Sequence, residues 1–327
     1  MEPLHTELVI ACSFLALLIS WFSLWLMQRS RHWGDRRTFQ LLALGAPTIS
    51  LCVLAIVIGS MMVHGCQQLS WLDASLSFFL LAAGCLTLAI GFVSVSQRVW
   101  LARRLLGKVI APLDNERVRQ LLEPLAKGFG MRSPRLMCCE TDYPLACMVG
   151  IWRPQIVLSS WVLENLDDGE LEAVLAHEMA HLKHGDNLVG WMATWLKKGN
   201  FYLPLMTRAW AHIQQDREFA SDGLAIQMTR KPMALASALL KVWQQGLSTS
   251  NPFPFAEAGA GFGEEGKASI EARIQHLLAS SDALPRRAFS RLALMAVGMG
   301  GLLILCALLP LALMTGAHGQ SCLLMSF

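Results

Sequence analysis

The stretch Val174–Leu188, VLAHEMAHLKHGDNL, places His177 and His181 four residues apart, with Glu178 beside the first. On an α-helix, positions i and i+4 share a face, so both imidazoles can turn toward one metal ion. Glu178 projects alongside without needing to bind the ion. From there it can take a proton from a water that the metal has acidified and pass it to a leaving amine. Hydrolysis of a peptide bond uses both services. Chance supplies roughly 0.01 matches to an HExxH pattern in a chain of this composition.

The flanks of this stretch predict a helix over 168–184. Asp167 followed by Glu170 fits a capping box, and Gly185 stands where a C-terminal glycine belongs. The histidine pair then lies in the last turns. A hydrolytic zinc site takes three protein ligands and keeps a fourth position open. Glu218 and Asp222, in EFASD, are again four apart on a predicted helix, Ile213–Thr229. Glu218 is the expected third ligand, and Asp222 the carboxylate that orients a histidine from behind. An ordinary solvated helix face has the same spacing, so this assignment stands on its coupling to HExxH. His184, beside Gly185, is expected to serve the helix dipole or solvent. Asp186 is expected to tie down the following turn. Arg273 and Tyr143 are candidates for stabilising an oxyanion, with structural roles as the plainer alternative.

Working outward, residues 98–291 have the texture of a compact domain long enough to bury its own core. DNERVRQLLEPLAKGF (114–129) reads as a helix that Pro124 kinks or interrupts. RLMCC, ACMVG and QIVLSSW read as short strands, a small sheet with a hairpin. The apolar, Trp-rich segment 187–211, broken at Gly199 and Pro204, suits either the membrane interface or a buried helical hairpin. A helical stretch over 232–246, a Gly- and Pro-rich loop over 248–267 and a helix at SIEARIQHLL complete the domain.

Outside this domain the chain is greasy: 54% of all residues are hydrophobic and only 16% are charged. Four stretches without Asp, Glu, Lys or Arg are long enough to cross a bilayer, at 8–27, 41–63, 74–96 and 292–316. Apart from Arg29, Arg31, Arg36 and Arg37, every Lys and Arg falls between Arg98 and Arg291. The positive-inside rule then puts both termini outside and the 98–291 domain in the cytoplasm, with a short outer tail at 317–327. The expected fold is therefore a multi-pass α-helical membrane protein of four transmembrane helices. A cytoplasmic α+β metallopeptidase domain is inserted between helices 3 and 4. Basic clusters at Arg98, Arg103, Arg104 and Lys108 and at Arg286, Arg287 and Arg291 fix orientation or touch anionic headgroups. No aromatic-interleaved basic patch supports nucleic-acid binding. The nine cysteines form no CxxC pair, and Cys66 and Cys322 would both be outside, where a disulfide is chemically permitted.

The run from Ile151 to Asn187 that contains HExxH, followed by REFASDGLA, resembles the membrane zinc metallopeptidases of the BlaR/MecR type, over most of 135–275. That resemblance implies one catalytic Zn2+ on His177, His181 and Glu218, with Glu178 as general base and Asp222 behind a histidine. It implies a gluzincin-like mixed fold, in which an edge strand near 143–150 pairs with extended substrate. It also implies a bacterial inner membrane and regulated cleavage of cytoplasmic proteins, such as a transcriptional repressor. Antibiotic-sensing members carry a penicillin-binding domain after the fourth span; here eleven residues follow Gly316, so β-lactam sensing is not expected. The chain is also similar to the HtpX and CAAX-protease type, which implies membrane-protein quality control. PLAC at 144–147 stands where that type has an NAF-like strand motif, which favours the first resemblance. A catalytically idle signalling scaffold is the third reading.

Overall fold

The computed structural model describes residues 110–150, 153–201, 203–248 and 264–279, with 18, 21–23, 25, 45, 82, 85–87 and 89–97 before them. Its contacts divide the chain into two units. One combines Ser96–Met192 with Gln214–Arg286, and the other combines Met1–Val95, Ala193–Ile213 and Arg287–Phe327.

The first of these units opens with strand β1 (Ile110–Pro112), helix α1 (Glu116–Phe129) and strands β2 (Arg135–Cys139), β3 (Ala146–Val149) and β4 (Gln155–Ser159). The four strands form one sheet in the order β1-β2-β4-β3. β3 and β4 make the expected hairpin, Met148 opposite Ile156. β2, however, lies on the other side of β4 and runs parallel to it, and β1 is a further strand beyond those expected. Strand spacing alone does not distinguish these pairings. β4 stops at Ser159 rather than continuing to Trp161, because Ser159 Oγ accepts from Val162 N–H at 3.3 Å and caps a short helix, α2 (Ser160–Asn165).

Pro124 does not interrupt α1, which runs unbroken from the Asn115 cap to a left-handed Gly130. Val118, Leu122, Leu125, Ala126 and Phe129 are buried on one face, whereas Pro124 is exposed. Packing of that face outweighs the cost of about 3 kcal/mol for an interior proline, and water reaches the carbonyl it orphans.

Helix α3 (Asp168–His184) is the axis of the domain. Its capping box is closed in both directions, Asp167 Oδ1 accepting from Glu170 N–H at 2.8 Å and Glu170 Oε2 from Asp167 N–H at 3.0 Å. Gly185, at φ 66°, reverses the chain at the other end. From Leu171 to His181 nearly every side chain is buried, as befits a helix covered on all sides. The helices that follow are α4 (Asp186–Gly199), α5 (Pro204–Thr229), α6 (Pro232–Ser248) and α7 (Glu264–Ala279). α5 begins nine residues before the expected Ile213, with Pro204 at its first position, where proline is tolerated.

In the second unit, the C-terminal half of α4 packs on helical residues 85–87 and 89–95. A Cβ added at Gly91 would lie 2.8 Å from Trp195 O, and one at Gly199 would lie 3.2 Å from Thr87 O. Only residues without side chains allow that approach. Trp210 Nε1 donates to Thr194 Oγ1 at 3.3 Å and Lys197 Nζ sits 3.8 Å from the Trp210 ring centroid, so the second half of α4 pairs with the start of α5. Among the described residues no helix is long and apolar enough to cross a membrane. The expected spans at 8–27, 41–63 and 292–316 fall wholly or largely outside the described residues, as do about half of 74–96, Cys66, Cys322, the two basic clusters and 249–263.

Candidate metal centre

Helix α3 supplies His177 and His181, one turn apart, their rings edge to face with centroids 4.6 Å apart. Their Nε2 atoms are 3.1 Å apart. Glu218, from α5, meets both: Oε2 is 3.4 Å from His177 Nε2 and Oε1 is 3.7 Å from His181 Nε2. One ligand atom from each of these three residues lies within 4.8 Å of the other two. Two imidazole nitrogens and one carboxylate oxygen converging in this way are a donor set that suits a divalent transition metal, zinc above all.

The remaining ring nitrogens face carboxylates. His177 Nδ1 lies 2.9 Å from Asp222 Oδ1, as expected of Asp222. His181 Nδ1 lies 2.8 Å from Asp186 Oδ2, with Ser221 Oγ at 3.0 Å. A proton held on each Nδ1 leaves each Nε2 lone pair facing its neighbours. Asp186 is therefore more than a turn anchor. The left-handed Gly185 folds the chain back so that the next residue reaches the histidine five positions earlier. The clue in the sequence is a carboxylate directly after the helix-ending glycine.

Two arginines stand behind the acids. Arg273, from α7, donates to Asp222 through Nε and Nη2, both at 2.7 Å, and its Nη1 is 3.0 Å from Glu218 Oε2. Its guanidinium is thus committed to carboxylates rather than offered to an oxyanion. Arg217 Nε is 3.8 Å from Asp186 Oδ2. Gly190 makes room for this arginine, since a Cβ there would sit 2.8 Å from its Nη1. Tyr143 packs in a separate apolar cluster with Cys139, Leu145 and Val157, where burial pushes its hydroxyl up to about 12. His184 is not part of the three-residue ligand group.

Burial disfavours charge at His177, Glu178, Glu218 and Asp222, and the neighbours decide which charges survive. Asp222 is held down at about 2, because Arg273 and His177 overcome the cost of its burial. Glu218 stays well below the usual carboxylate range, where Arg273 and the two histidines outweigh desolvation. His177 is pushed up to about 10: burial opposes the imidazolium, but Asp222 and Glu218 prevail. Glu178 alone among these acids is raised, by burial and by Glu218, against the pull of both histidines. It therefore holds a proton more readily than an ordinary glutamate. Burial and the nearby Glu178 also push the Cys147 thiol upward, which places the acid beside strand β3.

The family model for the BlaR1 peptidase M56 matches residues 54–277, more than half of the chain. A protease HtpX homolog from Bacteroides fragilis (strain YCH46) is 29% identical, covering 39% of this chain and 53% of that protein. Another from Methanopyrus kandleri is 28% identical, covering 42% of this chain and 53% of that protein. The chain thus spans about half the length of these curated relatives. The crystal structure of S. mikatae Ste24p aligns with a TM-score of 0.37 and 18% identity, over 73% of this chain and 64% of that one.

Proposed function

The chain belongs to the BlaR1 peptidase M56 family, and from that premise we propose that it is an integral-membrane zinc endopeptidase, cutting cytoplasmic or membrane-proximal proteins in regulated proteolysis. What supports this is one arrangement. His177, His181 and Glu218 converge, each histidine is backed by an aspartate, and Glu178 stands beside them in a buried pocket of opposed charges. His177, His181 and Glu218 hold the ion. Zinc bound there supplies Lewis acidity, polarising the scissile carbonyl and acidifying the attacking water. Glu178 accepts the proton from that water and delivers it to the departing amine. Its raised proton affinity suits both transfers. Asp222 and Asp186 keep the two imidazoles in the metal-binding tautomer. An extended substrate lies along the free edge of β3, which pairs with β4 on one side only among the described residues.

The charge distribution supports the rest of the reading: four membrane helices, both termini outside, and the peptidase domain facing the cytoplasm. The partners are then the bilayer and a protein substrate, a transcriptional repressor being one candidate. The relatives named as HtpX protease homologs are consistent with a second reading, the membrane-protein quality control that the resemblance to that type implies. New protein N-termini in cells expressing the wild type, compared with cells expressing Glu178→Ala at matched levels, separate the two. A few cytosolic cleavages are the expected result. Many cleavages in unrelated membrane proteins would replace regulation by quality control, and full complementation by Glu178→Ala would replace both by a scaffold.

Metal uptake carries its own proton signature. With no metal bound, His177 is charged at neutral pH, since Asp222 and Glu218 hold it up to about 10 despite burial. A metal ligand must be neutral. Zinc binding at pH 7 therefore releases about one proton, and affinity climbs with pH until His177 deprotonates by itself. Calorimetric titration of the metal-free protein in buffers of different ionisation heat measures this directly. Heats independent of buffer would show that His177 carries no proton to lose at pH 7 or does not take the metal.

A further inference from the structure

The free edge of β3 ends at an amide side chain. Leu145 O accepts from Ser159 N–H at 2.8 Å and Leu145 N–H donates to Ser159 Oγ at 3.1 Å. Backbone groups alternate along a strand, so Leu145, Cys147 and Val149 face β4, while Ala146 and Met148 face outward; Gly150, at φ 98°, lies past the end of the strand. The outer of those two carbonyls, Met148 O, is taken. Asn187 Nδ2 donates to Gly150 O at 2.7 Å and lies 3.5 Å from Met148 O. Gly150 itself is fixed in place: its φ is 98°, and a Cβ there would meet Arg153 O at 2.7 Å. An incoming strand is left the N–H and C=O of Ala146 and the N–H of Met148.

Asn187 follows Asp186 in the first turn of α4, and Asp186 holds His181. Two adjacent residues thus grip the two walls of the site, one the metal-side histidine and the other the substrate-side strand. The geometry points to Asn187 as a positioning residue that closes the β3 ladder at Met148 and so sets which peptide bond of a bound strand lies over the metal centre. This inference rests on the peptidase reading above. With the amide gone, Met148 O is released and the ladder gains an outward-facing acceptor. A bound strand can then slide by two residues, since a slip of one would turn every side chain to the opposite face.

The test uses the detergent-solubilised full chain, zinc-loaded, acting on short unstructured peptides of defined sequence, with the cleaved bonds identified by mass spectrometry. Asn187→Asp keeps the size but removes the donor, and Asn187→Ala provides a second variant should the aspartate fold poorly. We expect zinc content at the wild-type level and kcat within about twofold. KM should likewise stay within about twofold, since Asn187 bonds the strand and not the substrate, and new cleavages should appear two residues from the principal one. A single unshifted cleavage, with or without a higher KM, overturns the inference and leaves the peptidase reading standing. Absence of any Glu178-dependent cleavage by the wild type overturns both.

Discussion

Glu178→Gln in the purified, zinc-loaded chain lowers turnover roughly 10³-fold, the loss expected when general acid–base catalysis is removed. Zinc content stays unchanged. The substitution keeps the size of the side chain and leaves His177, His181 and Glu218 in place, so the ion is held as before. What disappears is a proton acceptor whose affinity burial and Glu218 raise above that of an ordinary glutamate. The effect falls on kcat rather than KM, because the proton moves in the transition state and not on substrate binding. Steady-state kinetics on a peptide substrate, together with metal analysis of the same samples, checks both halves. Retained turnover would remove Glu178 from the chemistry, and lost zinc would make it a structural support of the site.

The parts of this centre carried by helical spacing are legible in the sequence. His177 with His181, and Glu218 with Asp222, each stand four apart, and a helix turns such pairs onto one face whatever surrounds it. The ends of α3 are legible for the same reason: Asp167, Glu170 and Gly185 act on backbone groups within a few residues of themselves. Contacts made by folding are not. The reach of Asp186 to His181 depends on the reversal at Gly185, and Arg273 finds Asp222 across 51 positions of sequence. The parallel pairing of β2 with β4 hides likewise, because it depends on which strand edges come together and not on the strands themselves. Pro124 misleads locally for the converse reason, since the buried face of α1 overrides a residue that alone would break it.

Arg273→Ala destabilises the metal-free chain by about 3–5 kcal/mol at neutral pH, the range for stranding a buried charge by removing its partner. Asp222 and Glu218 stand one turn apart on α5, both ionised, with Asp222 wholly buried and Arg273 only 8% exposed. The guanidinium binds Asp222 with two nitrogens and reaches Glu218 with the third; His177, charged in the metal-free state, also meets both acids and is the cation left to them in the variant. In thermal unfolding the loss reads as a fall in Tm of roughly 10 °C for a domain of this size. Arg273→Lys keeps the charge but not the fork, and falls between the two. The sign with pH follows from Asp222. Its carboxyl is depressed to about 2, so its contribution is present above the ordinary carboxylate range and is lost as pH falls through about 2. Without Arg273 that depression shrinks, so in the variant Asp222 takes up its proton at a higher pH. The deficit of Arg273→Ala relative to wild type is therefore full at pH 7 and narrows as pH falls below about 4. Unfolding curves of the metal-free wild type and variant at the two pH values decide it. A variant as stable as wild type at pH 7 would mean that the acids find their compensation elsewhere, and that α7 is not tied to the metal centre through this arginine.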